Sequence, residues 1–126
     1  MSATVLIVDD SESVRQQVST VLTQVGFHVE QACDGVQGVA RINEGGIDCV
    51  ICDVNMPNMN GIAMVETVKA DSQNKTLPII MLTTEGSTEL IQRAKRGGAS
   101  GWIVKPFKAE LLIAAVQKLT ASAQCV

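Results

Sequence analysis

The chain has 126 residues, of which 46% are hydrophobic and 18% charged, and its formal net charge is −3. This length predicts a single domain, residues 1–126, large enough to bury a core of its own. The acidic charge balance argues against a nucleic-acid-binding surface, and no apolar run approaches the roughly 20 residues of a membrane-spanning helix.

Short segments rich in β-branched residues alternate with helical patterns along the whole chain. A strand at 4–8 precedes a helix that Ser11 or Ser13 can cap and that ends at Gly26. Strands at 27–32 and 48–53 are followed by helices at about 36–44 and 62–70. Strands at 77–83 and 101–105 are followed by a helix at about 87–96 and by one with an apolar stripe from Leu111 to Leu119.

This alternation predicts a doubly wound α/β fold with one parallel sheet of five strands. Parallel neighbours need a connection long enough to contain a helix, and each interval between the predicted strands is long enough. The fourth helix has the thinnest apolar face, little more than Leu90, Ile91 and Ala94, so we expect it to be weakly held.

Two of the four cysteines, Cys49 and Cys52, match the C-x-x-C spacing of metal and redox sites. Both fall on the third predicted strand, where side chains three residues apart point to opposite faces of the sheet. The two sulfurs then cannot share a ligand. We therefore expect buried thiols rather than a metal or redox site.

Reactive side chains stand at the carboxyl ends of four of the five predicted strands. The first strand ends in Asp9 and Asp10, the third in Asp53, the fourth in Thr83 and Thr84, and the fifth in Lys105, followed by Pro106. In an open α/β sheet, ligands bind at the carboxyl ends of the strands where the strand order reverses. Three carboxylates at one edge repel each other unless a cation lies among them. All-oxygen ligands with room for water and a phosphoryl oxygen favour Mg²⁺.

The other side chains at this edge suit a phosphoryl group. Lys105 offers a positive charge opposite the metal, and Thr83 offers a hydroxyl donor. Asp53 is the best candidate to accept a phosphoryl group as an acyl phosphate, because it stands alone at its strand end. The backbone carbonyl of Asn55, in the loop that follows, can supply a further metal ligand. Each of these residues alone is more often a helix cap or a turn residue, but their combination at one edge favours phosphoryl chemistry.

Four motifs resemble those of the receiver domains of bacterial two-component response regulators, in the same order and spacing. They are LIVDD (6–10), DVNMPNMNG (53–61), IMLTTE (80–85) and GASGWIVKPF (98–107). The resemblance runs the full length and is greatest to stand-alone chemotaxis members of the CheY type. It implies a flavodoxin-like (CheY-like) sheet whose strand order, 2-1-3-4-5, is carried over from the family.

The resemblance implies a role for each matching residue of the acidic edge. The implied Mg²⁺ ligands are Asp10, Asp53 and the Asn55 carbonyl directly, and Asp9 largely through water. Asp53 would be the phosphoacceptor, phosphorylated by a histidine kinase. Lys105 would contact the phosphoryl group, and its bond to Pro106 is similar to the cis peptide of family members.

The resemblance also implies a switch. Thr83 would be drawn towards the phosphoryl group, leaving space into which the Trp102 ring can turn, so that the face of the fourth helix, fifth strand and fifth helix changes. Asn55, Thr84 and Glu85 would modulate turnover of the acyl phosphate. Thr84 is larger than the residue usual after the switch threonine, and Trp102 stands where Tyr or Phe is more frequent.

The implied protein is a regulatory phosphoacceptor rather than an enzyme. We expect a cytoplasmic protein, because the N-terminus lacks a signal-like segment. We also expect a monomer with no nucleic-acid or membrane partner. The implied partners are the histidine kinase, an output protein such as the flagellar motor switch, and a phosphatase.

Three alternatives remain beside this interpretation. A phosphorelay intermediate would pass the phosphoryl group from Asp53 to a second histidine. An aspartyl-phosphate phosphohydrolase of the haloacid dehalogenase type would need a second aspartate where Asn55 stands. A flavodoxin-like electron carrier would need a hydroxyl-rich phosphate loop after the first strand and aromatic residues to stack on a flavin, whereas this chain has Asp9, Asp10 and 2% aromatic residues.

Overall fold

The computed structural model describes residues 3–124, with side chains described up to residue 121. The strands are β1 (Thr4–Val8), β2 (His28–Ala32), β3 (Cys49–Cys52), β4 (Ile79–Thr83) and β5 (Gly101–Val104). The helices are α1 (Glu12–Gln24), α2 (Gly35–Asn43), α3 (Gly61–Ala70), α4 (Thr88–Gly97) and α5 (Ala109–Gln124). A 3₁₀ turn at Ser72–Asn74, which the sequence pattern did not predict, follows α3.

The five strands form one parallel sheet in the order β2-β1-β3-β4-β5, which confirms the predicted fold class and strand order. The order reverses between β1 and β3, which lie side by side, with Leu6 opposite Val50. Parallel pairing brings the carboxyl ends of these two strands to the same edge. Just beyond them, the Asp53 N–H donates to the Val8 carbonyl at 3.0 Å.

Each face of the sheet has its own hydrophobic core. Residues of one face, such as Leu6 and Val50, pack with residues of α2, α3 and α4. Residues of the other face, such as Ile7 and Ile51, pack with residues of α1 and α5. The strands are therefore buried on both faces, as expected for a parallel sheet with helices on either side.

Cys49 and Cys52 belong to the cores on opposite faces of the sheet, as their spacing predicts. Both thiols are fully buried. Burial raises the pKa of Cys49 to about 12 and shifts the pKa of Cys52 in the same direction. Two buried protonated thiols that point apart form neither a metal nor a redox site.

Several predicted element boundaries were wrong by one or two residues. The fourth strand begins at Ile79 rather than at residue 77, and Pro78 just before it has no N–H to give to the neighbouring strand. The third and fifth strands end at Cys52 and Val104, so Asp53 and Lys105 lie in the loops just beyond. This placement frees both side chains to face the edge of the sheet.

Helix α1 is capped by Ser11, whose hydroxyl accepts the Val14 N–H at 3.3 Å. Helix α4 has the thin apolar face that the sequence predicts, because Ala94 is its one fully buried residue. Within the described residues, no helix combines the length and apolar character needed to cross a bilayer.

Candidate functional site

Three carboxylates converge at the carboxyl edge of β1 and β3. Asp9, Asp10 and Asp53 each offer an oxygen, and these oxygens all lie within 4.8 Å of one another. Asp9 and Asp53 are buried, whereas Asp10 is exposed. The sequence prediction that these side chains meet is confirmed, and their mutual repulsion favours a bound cation.

Lys105 reaches this cluster from the loop after β5. Its Nζ lies 2.9 Å from Asp9 Oδ2 and 3.4 Å from Asp53 Oδ2. Burial disfavours the charge on the ammonium, but the hydrogen bond to Asp9 and the charge of Asp53 outweigh that effect and raise the pKa of Lys105. The Lys105–Pro106 peptide is cis, as the resemblance implied.

Asp9 is the more deeply enclosed of the two buried carboxylates. Its Oδ1 accepts the Ser11 N–H at 2.9 Å, and its Oδ2 accepts a hydrogen bond from Lys105. Burial nevertheless dominates these interactions and raises the pKa of Asp9. Metal binding at the cluster would compensate for the cost of keeping this carboxylate charged.

One oxygen of Asp53 is held and the other faces the cluster. Its Oδ1 accepts the Val54 N–H at 2.7 Å, which fixes the rotation of the carboxylate. Its Oδ2 lies on the side of Lys105. Because the bond to Oδ1 fixes the rotation of the carboxylate, Oδ2 is held beside the Lys105 ammonium and is well placed to act as a nucleophile.

The donor set of the cluster fits Mg²⁺. Carboxylate oxygens are hard ligands, and Mg²⁺ is commonly bound through few carboxylates while keeping several waters and contacting phosphate oxygens. The exposed side of the cluster, at Asp10, leaves room for those further ligands. The residues that could hold the ion are therefore Asp9, Asp10 and Asp53. The Asn55 carbonyl stays a candidate ligand that the family resemblance implies.

Glu85 connects the remaining predicted site residues. Its backbone N–H donates to Thr83 Oγ1 at 3.2 Å, and its carbonyl accepts the Trp102 Nε1–H at 2.9 Å. Its side chain accepts a hydrogen bond from Asn55 Nδ2 at 3.0 Å. Thr83 is fully buried, Trp102 half-buried and Thr84 exposed. A displacement of the Glu85 backbone would therefore alter the hydrogen bonds of Thr83 and Trp102 together.

Sequence reasoning missed a hydrogen bond between Asp34 and Asn58 that holds the loop after Asp53. Asp34 caps α2 by accepting the Gln37 N–H at 2.9 Å, and its other oxygen accepts Asn58 Nδ2 at 2.8 Å. Asn58 has a φ of +68°, a left-handed conformation that asparagine tolerates better than most residues. The Asp-Gly pair before the second helix was a cap signal, but its second partner is distant in sequence.

We expect Asp34→Asn to destabilise the protein more near neutral pH than in acid. The hydrogen bonds from Gln37 N–H and then from Asn58 lower the pKa of Asp34 in the folded state. A lowered carboxyl pKa gives stability that is present above the unfolded pKa of about 3.9 and is lost as the pH falls through the folded pKa. Urea unfolding of both proteins across this range measures the difference.

Glu30→Gln is a positive control for that measurement, because its loss of unfolding free energy should also be larger near neutral pH than in acid. The hydrogen bond from Arg41 is the main cause that lowers the pKa of Glu30, and this pair lies away from the acidic cluster. An Asp34→Asn penalty that stays constant with pH would contradict the assigned ionic role of Asp34.

Gly61, the first residue of α3, stands just before the helix that the sequence predicts at about 62–70. A Cβ atom built on it would lie 1.9 Å from the Asp53 carbonyl oxygen and 2.8 Å from the Asp53 carbonyl carbon. The Gly61 N–H also donates to the Val54 carbonyl at 2.8 Å. The start of α3 thus packs directly on the backbone of Asp53, which only glycine permits.

Comparisons with known proteins agree with this geometry. The family described as "Response regulator receiver domain" matches residues 5–117. The chain is 38% identical over 116 residues to chemotaxis protein CheY-3 of Vibrio cholerae serotype O1, covering 91% of this chain and 89% of that protein. It is 35% identical over 116 residues to chemotaxis protein CheY of Pseudomonas aeruginosa, covering 91% and 94%. The solved structure of Vibrio cholerae chemotaxis protein CheY4 crystallized at low pH has a TM-score of 0.89 at 47% identity, covering 94% of this chain and 99% of that one.

Proposed function

Because the chain belongs to the response regulator receiver domain family, we propose that it is a signalling switch in which a histidine kinase phosphorylates Asp53 in the presence of Mg²⁺. The observation that carries this proposal is the convergence of Asp9, Asp10 and Asp53 within reach of Lys105. This arrangement combines a carboxylate nucleophile, a set of metal ligands and a cation for the phosphoryl oxygens.

The transfer step requires an aligned acceptor and compensation of charge. An Asp53 oxygen attacks the phosphorus of a phosphohistidine, the P–N bond breaks, and its electron pair stays on the imidazole nitrogen. The Val54 N–H holds the rotation of the Asp53 carboxylate during this attack. Lys105 can leave Asp9 to bind a phosphoryl oxygen, since its Nζ already lies beside Asp53. Bound Mg²⁺ would supply charge neutralisation among the carboxylates and the phosphoryl oxygens.

The hydrogen bonds of Glu85 support a route from the phosphoryl group to the surface. In this structure Thr83 Oγ1 accepts the Glu85 N–H, so a turn of Thr83 towards a phosphoryl group breaks that bond. The Glu85 carbonyl that holds the Trp102 indole belongs to the same residue. The phosphoryl group then shifts the population towards a conformer with a different face at α4, β5 and α5. The thin core contact of α4 keeps the cost of that shift low.

The named relatives support a chemotaxis role, because all three are chemotaxis proteins and are aligned over most of their length. We propose that the changed face binds an output protein such as the flagellar motor switch, and that a phosphatase and Asn55, Thr84 and Glu85 set the lifetime of the acyl phosphate. The family match favours a regulatory phosphoacceptor over a phosphohydrolase.

The test uses Trp102, the one tryptophan of the chain. A small phosphodonor with Mg²⁺, or beryllofluoride as a mimic of the phosphoryl group, is expected to change its fluorescence, because loss of the bond to the Glu85 carbonyl alters the surroundings of the indole. Intact mass measured in parallel should show one added phosphoryl group. EDTA should abolish both signals.

Trp102→Phe is the matched control for this experiment. It should incorporate phosphate while giving no fluorescence signal. A wild-type protein that incorporates no phosphate would contradict the proposed function, whereas phosphate incorporation with constant fluorescence would remove only the switch role of Trp102. Adding a histidine phosphotransfer domain to the phosphorylated protein tests the relay alternative, which predicts transfer onto that domain.

A further inference from the structure

Arg15, near the start of α1, binds the backbone beside the acidic cluster. Its Nη1 donates to the Asp9 carbonyl oxygen at 2.6 Å. Its Nε donates to Gln31 Oε1 at 3.1 Å, and Gln31 Nε2 donates in turn to Ser19 Oγ at 3.1 Å. The guanidinium is thus held by Gln31 of β2 and by the Asp9 carbonyl after β1, and Arg15 is half-buried. This arrangement fixes the guanidinium against one particular carbonyl.

The carbonyl that Arg15 binds belongs to the peptide that joins Asp9 to Asp10. The Asp9 N–H still continues the sheet by donating to the Ala32 carbonyl at 3.1 Å, but β1 and β2 end at Val8 and Ala32. Arg15 therefore replaces the strand partner that this carbonyl would have inside a sheet. Because the peptide is planar, holding its oxygen also fixes the direction in which the chain leaves towards the Asp10 Cα.

Asp10 depends on this backbone more than Asp9 does. The Asp9 carboxylate is held by the Ser11 N–H and by Lys105. Within the described residues, no hydrogen bond or ion pair holds the exposed Asp10 carboxylate. The position of its oxygens relative to Asp53 is therefore set by the backbone and by its own rotamer alone.

We propose that Arg15 is a positioning residue for the metal site, because it orients the Asp9–Asp10 peptide so that the Asp10 carboxylate faces Asp53. The inference rests on the proposed function, since it takes Asp10 to be a metal ligand. Partners that orient ligands without touching the ion commonly account for about tenfold or more in metal affinity. Gln31 supports Arg15 in this role through its hydrogen bond to Nε.

The charge of Arg15 has the opposite effect on metal affinity, and this separates the two roles. A cation near the cluster repels Mg²⁺, so removing only its charge would tighten metal binding. Loss of the positioning by Arg15, in contrast, would weaken Mg²⁺ binding. Lysine keeps the charge but lacks the planar fork that binds a carbonyl and a glutamine together. Arg15→Lys therefore isolates positioning, and Arg15→Gln removes both the charge and the fork.

The experiment measures the Mg²⁺ Kd of the full chain by calorimetry, with thermal unfolding and hydrogen exchange recorded in EDTA. Arg15→Lys is expected to weaken Mg²⁺ binding by about tenfold. Arg15→Gln and Gln31→Ala are expected to weaken it less, the first because removal of its charge offsets part of the lost positioning. The Ser11 N–H, which bonds Asp9 within the same turn, should exchange faster in the metal-free variants. Arg93→Lys, which alters an arginine paired with Glu66 on the other side of the sheet, should leave the Kd unchanged.

The outcomes distinguish this inference from the proposed function. A wild-type Mg²⁺ Kd in Arg15→Lys, which keeps the charge, would overturn the positioning role and leave the proposed function intact. If Arg15→Lys fails to fold, the Mg²⁺ Kd of Gln31→Ala tests the positioning role instead. That variant removes the hydrogen bond to Arg15 Nε and leaves the arginine itself in place. A wild-type protein that does not bind Mg²⁺ would count against the proposed function itself.

Discussion

Asp53→Asn is expected to reduce phosphate incorporation from a small phosphodonor to the background level measured without the donor. It is also expected to abolish the fluorescence response of Trp102 to that donor. An amide has no negative oxygen with which to attack phosphorus, so no acyl phosphate can form. The substitution is close to isosteric, and the new Oδ1 can still accept the Val54 N–H that now binds Asp53. The fold is therefore expected to survive. Intact mass and the acid–base lability of the added group measure the result.

Asp48→Asn is a matched control for the loss of a carboxylate. Asp48 lies before β3, at the opposite end of that strand from Asp53, where its Oδ2 accepts the Thr4 N–H at 2.8 Å. This variant should incorporate phosphate as the wild type does. Phosphate found on another residue of Asp53→Asn at the wild-type rate would show that the acceptor lies elsewhere.

The Mg²⁺ affinity of Asp53→Asn is a second measurement that tests the role of Asp53. Asp53→Asn removes one of three converging carboxylates, so weaker Mg²⁺ binding is expected together with less repulsion in the metal-free protein. Lys105 keeps its hydrogen bond to Asp9 in that case. A variant that binds Mg²⁺ more weakly but unfolds at the wild-type temperature or above would fit both effects.

The fold and the components of the site could be predicted from the sequence because they depend on local patterns. Strand and helix periodicity places Asp9, Asp53, Thr83 and Lys105 at or just beyond the carboxyl ends of strands, and parallel pairing brings those ends to one edge. The strand order itself came from the family resemblance. Local patterns thus identify which residues meet at the edge, without the contacts that hold each of them.

The contacts that hold the site could not be predicted, because their partners are distant in sequence. Asn58 binds Asp34, and Arg15 binds Gln31 as well as the Asp9 carbonyl. No periodicity or spacing links such pairs. The preference of Lys105 for Asp9 over Asp53 likewise depends on atomic distances that only the folded chain defines.

Gly61→Ala is expected to cost about 3 kcal/mol of unfolding free energy or more, at the upper end of overpacking effects. The added Cβ would lie 1.9 Å from the Asp53 carbonyl oxygen, and a backbone atom cannot move away as a flexible side chain can. The better helix propensity of alanine recovers at most about 1 kcal/mol of this. Denaturant unfolding in EDTA measures the cost.

Gly86→Ala is the matched control, because its Cβ would meet only Val104 Cγ2, at an ordinary contact distance of 3.8 Å. Its unfolding free energy should stay within about 0.5 kcal/mol of the wild type. If Gly61→Ala folds, relief of the clash must move the Asp53 backbone or the start of α3, so phosphate incorporation should fall as well. Wild-type stability in Gly61→Ala would contradict the close packing of α3 on Asp53. Wild-type phosphorylation in a destabilised Gly61→Ala would show that α3 moves and the acceptor stays in place.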